Sequence, residues 1–224
     1  MKWNKLYEYP KSMREMINDQ RHYAIGEEKL PSVTTILAAT QSEAKRASLA
    51  KWKQKVGENE AERVKNVAAT RGTKMHSILE GYIEGQGVLD LTETGGEAHR
   101  MANTIIDQGF KDLEEIWGSE VVLAYAGLYA GATDLCGVYQ GRESIIDFKQ
   151  SNKPKKIEWI EDYKLQGAAY ATAHDDMFGT KIEQIVILMC TPDCFFQRFI
   201  INGKEFREYK WKWLERVDQY YANK

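Results

Sequence analysis

The chain has 224 residues and a formal charge of −2, with 43% hydrophobic and 29% charged residues. That balance excludes a disordered chain or a collagen-like repeat, and no apolar run reaches the ~18 residues of a membrane-spanning helix, so no membrane partner is expected. A near-neutral chain has no global attraction for nucleic acid, so any such activity must rest on a local basic patch.

Three cysteines, Cys136, Cys190 and Cys194, are too few for a disulfide framework and point to a reducing compartment. The opening MKWNKLYEYPKSMREMIND has no apolar h-region and carries Glu8, Glu15 and Asp19, unlike a secretory signal or a mitochondrial presequence. A cytoplasmic setting is the expectation, in a bacterium or a phage-infected cell.

In chain order, residues 11–20 read as a short helix, followed by an extended piece from Arg21 to Ile25 and a turn at Gly26. Ser32 caps a helix carrying Val33, Ile36 and Leu37, and Ser42 opens a second that Gly57 closes. Residues 58–84 are helical with an interruption near Gly72. Residues 96–117 form another helix, with Ile105, Ile106, Phe110 and Leu113 at helical spacing. Strands are predicted over 120–126, 129–139 and 143–150, a helix over 161–178, strands over 182–190 and 195–201, and a last helix over 203–221. The reading is one α/β (α+β) domain over 1–224. Residues 1–117 form a mainly helical wall, and 118–224 form a mixed-sheet core with a C-terminal helix.

The segment GLYAGATDLCGVYQGRESIIDFKQS, residues 127–151, concentrates the chemistry. With Gln140-Gly141 as a hairpin loop, Tyr139 faces Arg142 and Asp134 comes opposite Asp147, their Cβ atoms about 5 Å apart. Lys149 emerges on the same face two residues on. Opposed carboxylates repel unless a cation lies between them, and Mg²⁺ or Mn²⁺ suits oxygen donors. The triplet alone is equally a solvated salt-bridge face, since the chain has 33 acidic and 31 basic residues. Upstream, Gly72, His76 and Glu80 fall at i, i+4, i+8 on one helical face; a lone His there also suits a structural, hydrogen-bonded role. Gln166 and Tyr170 are again i, i+4, on a helix of small residues.

Taken together, GxxxHxxxE (72–80), GxxD (131–134), IIDFK (145–149) and QxxxY (166–170) resemble the RecB-type branch of the PD-(D/E)XK nuclease superfamily. Within it, the segments LPSVTTIL, AKWKQKVGE and LQGAAYATAHDD look like the group of mitochondrial genome maintenance exonucleases with their phage and bacterial relatives. The resemblance implies a restriction-endonuclease-like core, a central mixed β-sheet flanked by helices, and DNA exonuclease chemistry with Mg²⁺ or Mn²⁺ on single-stranded DNA or DNA ends. It implies Asp134, Asp147, His76 and the Phe148 carbonyl as metal ligands, and Lys149 as the motif lysine beside the two catalytic aspartates. Gln166, Tyr170, Ser151 and Lys153 are implied to contact DNA, with Glu80 behind the metal ligands. Gln150 stands where a Thr is common. No iron–sulfur cluster is expected, because Cys136 lies inside the hairpin and Cys190 and Cys194 cannot complete a four-cysteine set. Lys51, Lys53 and Lys55 around Trp52, and Lys153, Lys155 and Lys156 near Trp159, interleave charge with aromatics as a single strand requires. They are equally ordinary solvated helix faces. The rival readings are a structure-specific endonuclease on the same core, or a nucleic-acid-binding module without turnover.

Overall fold

The computed structural model describes residues 1–88, 90 and 92–223. A six-stranded mixed sheet is built from β1 (Lys2–Trp3), β5 (Leu113–Tyr125), β6 (Tyr129–Tyr139), β7 (Arg142–Gln150), β8 (Gln184–Cys190) and β9 (Phe196–Asn202), in that spatial order. Neighbours are antiparallel except β1–β5 and β7–β8, where the chain crosses over through α5 (Glu161–Phe178). A separate antiparallel sheet joins β2 (Met13–Ile17), β3 (Gln20–Ile25) and β4 (Glu28–Pro31).

Helices cover both faces of the large sheet. On one, α1 (Val33–Ala39), α5 and α6 (Gly203–Ala222) bury Val33, Ile36, Leu165 and Trp213. Ala168, Ala169, Ala171 and Ala173 keep α5 close to the strands, and a Cβ at Gly167 would lie 2.4 Å from the Ile185 side chain. On the other, α3 (Glu58–Ile83) and α4 (Glu93–Gly109) bury Met75, Leu79, Met101 and Ile105. The helix α2 (Glu43–Val56) buries none of its residues. Among the described residues, no helix is long and apolar enough to cross a membrane.

Both expected serine caps form: Ser32 Oγ accepts from the Thr35 N–H and Ser42 Oγ from the Lys45 N–H. Three expectations are corrected. Residues 13–17 are a strand, not a helix, because Asn18 and Asp19, at φ 49° and 59°, make the tight turn that folds β2 onto β3. Gly72 does not interrupt α3, because the turns on either side of it are anchored by the buried Arg71 and Met75. The helix expected to 117 ends at Gly109, pressed against Leu188, and after a turn of 3-10 helix residues 113–117 are already in β5. The first 117 residues thus contain a β-sheet besides their helices.

The N-terminal segment is clipped into the core by its aromatics. Tyr7 packs edge-on to Trp117 and His174, and the Tyr9 hydroxyl lies 3.3 Å from His174 Nε2. The other ring nitrogen, Nδ1, meets Thr180 Oγ1 at 2.8 Å. Burial pushes the His174 imidazole down to about 4, only partly offset by the Asp175 charge. An unfolded chain, with a histidine near its ordinary value of ~6.5, then takes up the proton first as pH falls. Stability from neutral His174 is therefore full above that pH and is lost progressively down to about 4. Urea unfolding at pH 7 and pH 5 should show His174→Gln losing about 2 kcal/mol less than the wild type over that interval.

Candidate active site

The antiparallel ladder between β6 and β7 runs from Tyr139–Arg142 to Leu135–Ile146 and stops one step short of Asp134 and Asp147. The hairpin register is the one the sequence implies, with Gln140 and Gly141 at φ 50° and 72° in the loop. Where the ladder ends, the Phe148 N–H donates to Asp134 Oδ2 at 2.6 Å, a side-chain carboxylate replacing a backbone acceptor. Asp147, 2% exposed, forms an ion pair with Lys149, Oδ2 to Nζ 2.5 Å. Lys149 Nζ also lies 5.2 Å from the centre of the Tyr163 ring.

The helix α3 supplies the opposite wall. Gly72, Thr73, His76, Ser77 and Glu80 line a cleft of about 410 Å³ together with Asp134, Lys149, Gln166 and Tyr170. His76 Nδ1 lies 3.4 Å from Asp134 Oδ1, and its ring meets the Phe148 ring edge-on at 6.1 Å. Burial disfavours the imidazolium, but the Asp134 charge and hydrogen bond outweigh it, so the His76 pKa is raised. Burial likewise opposes ionisation of Asp134, yet His76, Lys149 and the Phe148 N–H hold its carboxyl below the usual range. Asp147 goes the other way: burial raises it, reinforced by Asp134 and resisted by Lys149. Lys149 is held charged, since the two carboxylates overcome its desolvation. Two carboxyls pushed apart in this manner are a recurring mark of acid–base sites.

Glu120 was not among the residues singled out from sequence. Between the pairs Ser119–Leu135 and Val121–Thr133 it falls opposite Asp134, and its φ of 51° is an unusual conformation for a non-glycine strand residue. Desolvation, then the Asp134 charge, push its carboxyl up to about 7. His76, Glu120 and Asp134 each offer a ligand atom, all within 4.8 Å of one another, and no other such group occurs among the described residues. A nitrogen with carboxylate oxygens fits a divalent cation of the Mn²⁺ or Mg²⁺ kind, and Asp147, ion-paired to Lys149, is a further carboxyl on the same sheet end. Asp147 itself is engaged by Lys149 rather than grouped with those three ligands. The Phe148 amide, not its carbonyl, is the backbone group seen to engage the site.

The remaining motif residues brace this end of the sheet. Gln166 Nε2 donates to the Tyr170 hydroxyl at 3.0 Å, and a Cβ at Gly131 would lie 2.7 Å from the Tyr170 ring. The buried Arg71 donates twice to Gln150 Oε1, at 3.1 and 2.9 Å, and also to Glu97 and Asn152, tying α3 to the end of β7. Gln150 is thus one of three side chains, with Glu97 and Asn152, that hold Arg71. Glu80 lines the cleft one turn beyond His76, its carboxyl raised by partial burial and by Glu84. Ser151 and Lys153 lie elsewhere, in a second cleft of about 580 Å³ with Trp52, Gln150, Lys155 and Tyr163. The Ser151 hydroxyl is committed to the Lys153 carbonyl at 2.7 Å. Arg14 and Arg21, from the small sheet, line the first cleft and were also missed.

No protein-family model matches the chain. It is 30% identical to mitochondrial genome maintenance exonuclease 1 of Mus musculus over 85% of this chain, and 26% identical to that of Homo sapiens over 87%. In both cases it spans 59% of the relative's length. A solved protein from Eubacterium rectale, named provisionally as an exonuclease, superposes with a TM-score of 0.51 at 17% identity, over 68% of this chain and 65% of its own. That likeness concerns the fold, a central mixed sheet flanked by helices. The chain is a homologue of proteins named mitochondrial genome maintenance exonuclease 1.

Proposed function

We propose that the chain is a Mg²⁺- or Mn²⁺-dependent exonuclease that hydrolyses phosphodiester bonds of single-stranded or flap DNA. The observation that carries this reading is the convergence of His76, Glu120 and Asp134 at ligand spacing, beside the buried Asp147–Lys149 pair. The names of the homologues support exonuclease over endonuclease.

In this reading His76, Glu120 and Asp134 would hold the metal, and the Asp147 carboxyl and Phe148 carbonyl are the further donors the motif resemblance adds. A bound divalent ion supplies a lowered water pKa and charge neutralisation at the phosphate. The protein's own groups do the rest. Asp134 fixes the imidazole of His76, while its second oxygen is oriented by the Phe148 N–H. Lys149, kept charged by Asp147, stands ready to stabilise charge developing on the attacked phosphate. Gln166 and Tyr170 set the floor on which that phosphate rests. The second cleft, with Trp52, Tyr163, Lys153 and Lys155, offers the rings and cations that a continuing single strand needs.

An end-labelled linear single strand and a circular one, incubated with Mg²⁺, Mn²⁺ or EDTA, test the reading. Loss of the linear strand alone, stopped by EDTA, is the expected result. Cleavage of the circle would make the protein an endonuclease, and binding without cleavage would make it a binding module. Lys149→Ala should cut the rate by a factor of about 10² or more, with DNA affinity within a few fold. By calorimetry, Glu120→Gln should weaken Mn²⁺ binding roughly 10-fold, and an unchanged affinity would remove Glu120 from the ligand set.

A further inference from the structure

Of the charged side chains lining the first cleft, Glu80, Glu120 and Asp134 are acidic, while Lys149 is already paired with Asp147. A polyanion entering that space meets carboxylates unless cations answer them, and the remaining cations are Arg14 and Arg21. Both come from the small sheet, which the four motifs do not include.

The sheet holds them in place. In the β2–β3 register Arg14 is opposite Tyr23, and Arg21 is opposite Met16. Side chains two apart on a strand share a face, so Arg14, Met16, Arg21 and Tyr23 all lie on one side of this sheet. Tyr23 is 5% exposed and packs with Leu30 and Ala130. Its hydroxyl accepts from the Ala132 N–H at 3.4 Å, two residues before Asp134 on β6. The Arg14 guanidinium lies over the same ring, 5.9 Å from its centre. Tyr23 therefore gives Arg14 a fixed position relative to the strand that carries Asp134. Arg14 also acts electrostatically on the Glu120 carboxyl. Neither guanidinium has a hydrogen bond or ion pair within the protein, among the described residues. The opposite face of the same sheet instead carries the ion pair between Lys29 and Glu15, 2.8 Å.

We propose that Arg14 and Arg21 form an anion clamp that holds a phosphate of the DNA strand within the cleft formed by His76, Glu120 and Asp134. The clamp takes its substrate from the nuclease reading, but its function is binding, and it is measurable without turnover. Two unpaired guanidiniums suit phosphate oxygens, to which arginine donates in a planar fork. Both sources of that chemistry, a terminal monophosphate and an internal diester, fit the same pair.

The test is fluorescence anisotropy of a labelled single-stranded oligonucleotide in EDTA, across a salt series. Arg14→Gln and Arg21→Gln should each weaken binding and lower the slope of log K against log salt by about 0.7, the share of one single-strand phosphate contact. Arg21→Lys should recover most of the slope. Lys29→Gln, on the far face, should leave it unchanged, and all variants should keep the wild-type melting temperature. Variants that bind like wild type, or a Lys29→Gln effect equal to theirs, would overturn the clamp. Cleavage that persists in such variants would leave the nuclease reading standing. Arginine-dependent binding by a protein that never cleaves would keep the clamp and overturn the nuclease. Oligonucleotides with phosphorylated and hydroxyl ends separate the two sources. An arginine effect confined to one phosphorylated end identifies the monoester, and an equal effect on all ends the diester.

Discussion

Where β6 and β7 stop pairing, the Phe148 N–H needs an acceptor and finds the Asp134 carboxylate. That substitution fixes the remaining geometry. A strand pair continuing one step further would present backbone to backbone at this point, with both aspartates projecting as ordinary neighbours on a sheet face. Instead Asp134 is anchored through one oxygen and turns the other toward His76, while Asp147 stays buried and draws Lys149 to it. The cost of burying two carboxylates is met by dividing them: one is held ionised by cations and an amide, and the other is left prone to protonation.

The motif residues of α3 and α5 then act as two braces on that sheet end. Arg71 reaches Gln150 from one side, so the helix carrying His76 cannot slide along β7 without breaking several hydrogen bonds of a buried guanidinium. Tyr170 presses on Gly131 from the other, and the missing side chain of that glycine is the space the ring occupies. The spacing of GxxD thus has a steric as well as a chemical reason. Its first residue makes room for the tyrosine of α5, and its last carries the carboxylate.

Much of this was legible in the sequence because it depends on short-range rules. The hairpin loop at Gln140-Gly141 sets a register that runs to within one step of Asp134 and Asp147, and helical periodicity alone places Gly72, His76 and Glu80 on one face. The serine caps and the small-residue face of α5 are local for the same reason. Glu120 follows from the same kind of counting, since the β5–β6 register runs unshifted from Tyr125–Tyr129 to Gly118–Cys136 and puts it opposite Asp134; it went unread because it stands at the very start of the strand expected over 120–126. Arg14 was hidden by reading 11–20 as a helix, which also left the extended piece from Arg21 without the β2 partner that sets its face. In MREMINDQRHYAI the apolar residues at 13, 16 and 17 fit a helical period, and the turn at Asn18-Asp19 overrides it. Lys153 and Ser151 reach a different cleft from His76 because the chain turns away immediately after Gln150.

The helix α2 is the exception to this economy of packing. It buries nothing, yet its Trp52 forms part of the second cleft. A helix of 14 residues with no tertiary burial has little beyond its caps, its backbone hydrogen bonds and the partly exposed Lys45–Asp162 ion pair to hold it, and such a length is marginal in water by itself. Amide exchange and limited proteolysis therefore sense this wall first, while the sheet that holds the carboxylates keeps the protection of the whole fold. The two clefts consequently differ in kind. One is walled by the sheet end and by helices that bury residues in the core, and the other is walled on one side by a helix that buries none.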